Sequence, residues 1–182
     1  RLFMYGAVIM LIVSSIGPFA LGGIASVGLR ESPILEMAIY FYLHFQYNGW
    51  LYLILIGMFL LILRRRHIPY SDKAMSYSFW IYFFALFPSY LLSVLWYGVG
   101  IIGYIFAAVG AIGQLIGVAI FIITMLRIMS PLKRATSPII YIHIIGVSML
   151  LSLKSIMELG LLYPSFGEII YDTRSVVIAY LH

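Results

Sequence analysis

Long apolar runs divided by short polar connectors constrain this chain more than any other feature. Leu2 to Val27, Ile34 to Leu63, Phe79 to Tyr97, Ile101 to Leu126 and Ile139 to Leu159 all approach or exceed the span requirement. About 20 predominantly apolar residues cross the hydrocarbon core as a helix. A further run begins near Ser175 and includes only the first two turns of a sixth helix. The pattern predicts an all-α fold: a polytopic transmembrane helix bundle with five full spans plus the start of a sixth. Only 9% of the 182 residues are charged and 64% are hydrophobic, whereas a soluble domain carries roughly 25% charged residues. The lipid bilayer is therefore the first partner expected.

Leu2 to Val27 exceeds the roughly 7 to 15 apolar residues of a signal-peptide core, so it reads as a retained span. Pro18 within it predicts a bend. The connectors are Gly28 to Pro33, Arg64 to Tyr77, Trp96 to Gly100 and Arg127 to Pro138. Arg64, Arg65, Arg66, Lys73, Arg127, Lys133 and Arg134 fall on alternate connectors, on the same side as Arg1. The opposite connectors hold Arg30 and Arg174 among Glu31, Glu36, Glu168 and Asp172. By the positive-inside rule this alternation predicts a cytoplasmic N-terminus in a bacterial inner membrane. The net charge of +5 is thus a matter of orientation, and no nucleic-acid partner is expected. Residues 1–182 read as a single transmembrane helical region. The opening on Arg1 and the end inside an apolar run suggest a fragment of a longer protein.

The sequence contains no Cys, so any metal site must use His, carboxylate, Tyr or amide groups. No phosphate loop, zincin helix or calcium-loop spacing is present. The functional lead is Ala38 to Trp50, AIYFYLHFQYNGW, in which His44, Gln46 and Asn48 interrupt an apolar span. Spacings of four place Tyr40, His44 and Asn48 on one helix face. A histidine in lipid surroundings needs a partner in the bundle interior. An interhelical hydrogen bond, a metal or haem axial bond, a proton relay and a substrate contact all satisfy that need. His143 lies near the other membrane face, too far away to share a site with His44, and reads as a packing or interface residue. His67 reads as solvated.

Two further features are polar. Gly103, Ala107, Gly110, Gln114 and Gly117 recur at spacings of four and three, a stripe suited to close helix packing, with Gln114 alternatively facing a polar cavity. Lys154 and Glu158 are placed to form an i,i+4 ion pair. They serve either structure alone or as a polar entrance, a headgroup contact or a contact to a haem propionate. Finally, a shift of 138 residues lays Tyr42, Leu43 and His44 onto Tyr180, Leu181 and His182, and Leu21 and Gly22 onto Leu159 and Gly160. That register defines a candidate four-helix internal repeat.

A four-helix repeat with an inward-facing histidine near the outer end of each second helix resembles the haem-copper oxidase catalytic subunit and its relatives among nitric-oxide-stress membrane proteins. The resemblance implies a 12-helix bundle, haem and copper as cofactors, His44 as a low-spin haem ligand and His182 as a copper ligand. It also implies respiratory or nitric-oxide chemistry, with other membrane subunits or redox partners. The paired-histidine helices of that family would lie beyond His182. The stretch YLHFQYNGW also resembles one in polytopic bacterial membrane proteins of uncharacterised function. The alternative is a non-catalytic membrane subunit or a transporter, in which Tyr40, His44, Asn48, Gln114, Lys154 and Glu158 join helices or line a solute path.

Overall fold

The computed structural model describes residues 1–163, and these form a helical bundle without strands. The expected sixth span, His182 and the second half of the candidate repeat lie outside the described residues. In chain order the elements are α1 (Leu2–Ser26), α2 (Pro33–His44), a π-helical segment (Phe45–Leu51) and α3 (Tyr52–Arg65). Next come α4 (Asp72–Ser89), a 3-10 segment (Tyr90–Tyr97), α5 (Gly100–Arg127), the short α6 (Met129–Ala135) and α7 (Pro138–Gly160). Five continuous helical stretches are long and apolar enough to cross a membrane. The second, Pro33–Arg65, joins α2, the π segment and α3 over 33 residues. At about 1.5 Å per residue it reaches roughly 50 Å, beyond the roughly 30 Å of the hydrocarbon core.

Local chemistry sets the ends. Ser71 caps α4, its hydroxyl accepting from the Ala74 N–H at 3.2 Å, so the third helix starts at Asp72 rather than at the expected Phe79. The cap and the acidic first-turn Asp72 outweigh the polarity of the segment. Ser137 caps α7, accepting from Ile140 N–H at 3.4 Å, with Pro138 at the first helical position, where its missing N–H costs nothing. The basic connector after α5 is not plain loop but contains α6. At the opposite end, Gly98 takes φ +77 and stops the 3-10 segment, a left-handed conformation that glycine adopts without Cβ strain. α1 remains helical on both sides of Pro18.

The core lies between α1, the α2–α3 span, α4 and α5, around Phe3, Met10, Leu53, Phe79, Leu86 and Phe121. Outward faces are apolar as well: Tyr5, Ile12 and Phe19 on α1 and Ile142, Met149 and Leu150 on α7 are all exposed. Such surfaces suit contact with lipid chains. α7 is the most peripheral span, with only Ser155 and Glu158 buried.

The tightest approach is between α4 and α5. A Cβ on Gly110 would stand 2.5 Å from Ser89 Cα and closer still to Ser89 N. Ala107, Gly110, Gln114 and Gly117 of the small-residue stripe are buried, whereas Gly103 lies against Val99, the residue just before its own helix. Ser78 Oγ donates to the Gly117 carbonyl at 2.8 Å, fastening the same seam nearer the basic connectors. At the basic end, Arg64 pairs with Asp72 and donates to Tyr70 Oη at 2.7 Å. Arg66 reaches the Ala135 carbonyl at 3.3 Å, linking the two basic connectors.

Because backbone cannot retreat as a side chain can, Gly110→Val is expected to cost about 3 kcal/mol by forcing α4 and α5 apart. Gly22→Ala, where a Cβ meets nothing within 4 Å, should leave stability unchanged or slightly raised. Thermal unfolding in detergent compares the two.

Candidate functional site: a buried polar strip at two helix interruptions

His44 closes α2 and is 6% exposed. Its Nε2 lies 2.9 Å from the Leu86 carbonyl oxygen of α4. Its Nδ1 lies 3.2 Å from Asn48 Nδ2. A carbonyl only accepts and an amide NH₂ only donates, so these partners select the neutral tautomer with the proton on Nε2. Ser89 Oγ donates to the same Leu86 oxygen at 3.0 Å and lies 3.3 Å from His44 Nε2. Gln114 Nε2 donates to Ser89 Oγ at 2.6 Å. The result is one hydrogen-bonded strip, Asn48–His44–Ser89–Gln114, running from the second span through α4 to α5.

The strip exists because two helices change pitch beside it. In a regular α-helix the Leu86 carbonyl accepts from the Tyr90 N–H. Here Tyr90 N–H bonds to Phe87 O as the 3-10 segment begins, which releases Leu86 O to His44 and Ser89. The same exchange occurs on the other side of the interface. Tyr52 N–H bonds to Tyr47 O and Gly49 O at the end of the π segment, bypassing Asn48 O. Tyr82 Oη donates to that released carbonyl at 2.9 Å. A single-turn π irregularity inside a helix often accompanies a functional site, and irregular backbone at membrane depth persists where protein covers it.

Lys154 and Glu158 form the expected ion pair, Nζ to Oε1 at 2.5 Å. Glu158 is nearly buried and Lys154 partly so. Desolvation and pairing make such groups costly alone and tolerable together. The Tyr40 ring packs 6.4 Å from that of Trp96, in the 3-10 segment. His143 is exposed on α7, its Nδ1 at 2.7 Å from Ile139 O, and His67 is exposed in the basic connector.

Reading the sequence alone missed Ser89, the Leu86 carbonyl and Tyr82. Pro88, adjacent to Ser89, was the available signal, since a proline late in a span disturbs the backbone bonds around it. A second polar link, Ser14 Oγ to Gln46 Oε1 at 2.8 Å, joins α1 to the π segment.

The fit of a haem iron to His44 follows from these contacts. Iron binding needs a ring nitrogen lone pair directed at the metal. The Nδ1 lone pair faces Asn48 and the Nε2 proton faces Leu86 O, while Phe45 and Tyr90 stand edge-on to the ring at 5.1 and 6.0 Å. His44 as folded here does not fit an axial ligand. Among the described residues no group of three or more His, Asp or Glu is arranged to hold a metal ion.

A double-mutant cycle on His44→Phe and Asn48→Leu is expected to return a coupling of about 0.5–1.5 kcal/mol, the net worth of one intramolecular hydrogen bond. Gln114→Leu should be milder than Ser89→Ala, because the latter strands the Gln114 amide without its acceptor. Chemical unfolding of the detergent-solubilised variants measures both.

Comparison of the chain with protein-family models, curated proteins and solved structures finds no match in any of the three.

Proposed function

We propose that this polytopic membrane protein is a transporter in which the His44 strip, with the Lys154–Glu158 pair on its outer side, carries protons or couples them to a small polar solute. The supporting observation is the meeting of two interrupted helices at one buried histidine. Discontinuous helices whose backbone groups leave the helical ladder commonly build the binding sites of transporters. An imidazole is the side chain whose protonation changes most readily near neutral pH. Hydrogen-bonded contacts on both ring nitrogens supply a donor side and an acceptor side. Ser89 and Gln114 position the ring, while Glu158 offers a carboxylate toward the outer face.

The second reading, haem or copper ligation by His44 and His182 in respiratory or nitric-oxide chemistry, is supported by the buried, inward placement of His44. It requires that Nε2 exchange Leu86 O for iron. His182 lies outside the described residues.

In the bacterial inner membrane, the orientation that fits the transporter reading puts Arg1, the Arg64–Arg66 cluster and α6 in the cytoplasm. Because the sequence has no Cys, single-cysteine variants report orientation cleanly. An impermeant maleimide applied to intact spheroplasts is expected to label Glu31→Cys and spare Ser130→Cys. The reverse pattern would overturn the orientation.

For the activity, proteoliposomes holding the full chain and a trapped pH-sensitive dye are expected to show potential-driven proton uptake. His44→Ala should lose most of it, while Gly22→Ala should retain it. A preparation with no flux, but with a reduced-minus-oxidised Soret and α band that His44→Ala weakens, favours the haem reading. Neither flux nor colour would leave His44 as a helix fastener and sink both.

A further inference from the structure

The two basic connectors are folded against each other at one end of the bundle. Arg66 donates from Nη1 to the Ala135 carbonyl at 3.3 Å. Ile68 of the first connector and Ile128 and Leu132 of the second are buried in the same core. Together the connectors carry seven Lys or Arg side chains, all exposed, against one carboxylate, Asp72, and Arg64 takes that one. Among the described residues Arg65, Arg66, Lys73, Arg127, Lys133 and Arg134 have no carboxylate partner. Like charges held on one face repel one another, so an anion bound there stabilises it. Membrane orientation needs only that basic residues fall in these loops. It does not need the Arg66 clasp or the burial of Ile68 and Leu132, which fix the charges into one platform.

We infer that this platform binds an anionic phospholipid, its phosphate held by Arg65 and Arg66 of one connector and Lys133 and Arg134 of the other. Arg66 has donors to spare, since a guanidinium carries five N–H groups and the Ala135 carbonyl takes one. What lies next to the charges favours a lipid over free phosphate. Leu61 and Ile62 precede the Arg cluster, Leu126 precedes Arg127 and Ile139 follows the second connector, and they are 45% to 69% exposed. Those turns offer acyl chains an apolar surface beside a phosphate site. Lys73 and Lys133 lie over the Tyr77 and Tyr141 rings at 5.9 and 6.0 Å, and tyrosine is enriched at the headgroup level of a membrane. Basic pockets between membrane helices hold anionic headgroups in this way. Lipid binding here does not depend on what His44 does elsewhere in the bundle.

Native mass spectrometry of the full chain in a neutral detergent tests the site, with phosphatidylglycerol and phosphatidylcholine of the same acyl chains as probes. Phosphatidylglycerol is expected to be retained at several-fold higher occupancy. Equal retention of the two lipids would overturn the inference, and displacement of the bound lipid by excess inorganic phosphate would assign the site to the free anion instead. The double variant Arg65→Gln, Arg134→Gln removes two exposed charges and leaves the Arg66–Ala135 clasp in place. It should bring the two lipids to parity, whereas Arg30→Gln, on the opposite connector, should keep the preference. A preference that survives in the double variant would also overturn the inference.

Discussion

The structure depends on how backbone carbonyls are satisfied where there is no bulk water. Every carbonyl that leaves a helical ladder inside a membrane must find another donor. Asn48 O and Leu86 O do so here on facing helices. The π segment after α2 frees Asn48 O, which takes the Tyr82 hydroxyl. The 3-10 segment after α4 frees Leu86 O, which takes His44 and Ser89. Each irregularity is compensated by a side chain on or next to the other helix, so the second span and α4 hold one another's distortions in place.

This exchange works only if α5 closes the seam from the other side. Gly110 lets the α5 backbone ride directly over Ser89, and that approach brings the Gln114 amide within 2.6 Å of the Ser89 hydroxyl. The stripe of small residues is therefore both a packing device and the means of completing the strip. A bulkier stripe would move Gln114 outward and leave Ser89 facing His44 without its other donor. Close packing of small residues takes the place that hydrophobic burial has in water, because lipid chains are as apolar as the core.

A satisfied histidine restricts the chemistry open to it. His44 is a neutral imidazole held at both nitrogens, by Leu86 O and by Asn48. A metal at Nε2 would have to displace Leu86 O from the ring. α7 is peripheral among the described spans, with Ser155 and Glu158 its buried residues.

The sequence by itself determined the class of fold, the number of spans in residues 1–163 and the ion pair between Lys154 and Glu158. Those rest on run length, hydropathy and i,i+4 spacing, which are local properties of a helix. It also marked His44, Asn48 and Gln114 as polar groups needing partners, because the cost of burying them does not depend on where the partners are. Only the tertiary structure decided what the partners were. Ser89 and Leu86 are ordinary residues in sequence, and the contact of the Tyr40 ring with Trp96 joins segments far apart in the chain. Beyond His44 the face arithmetic shifts, because the π segment inserts an extra residue into the turn and rotates α3. The start of α4 at Asp72 was hidden for a different reason, since a serine cap outweighs a polar composition. Which carbonyls are released, and to whom, is settled by two helices meeting, and no single segment carries that information.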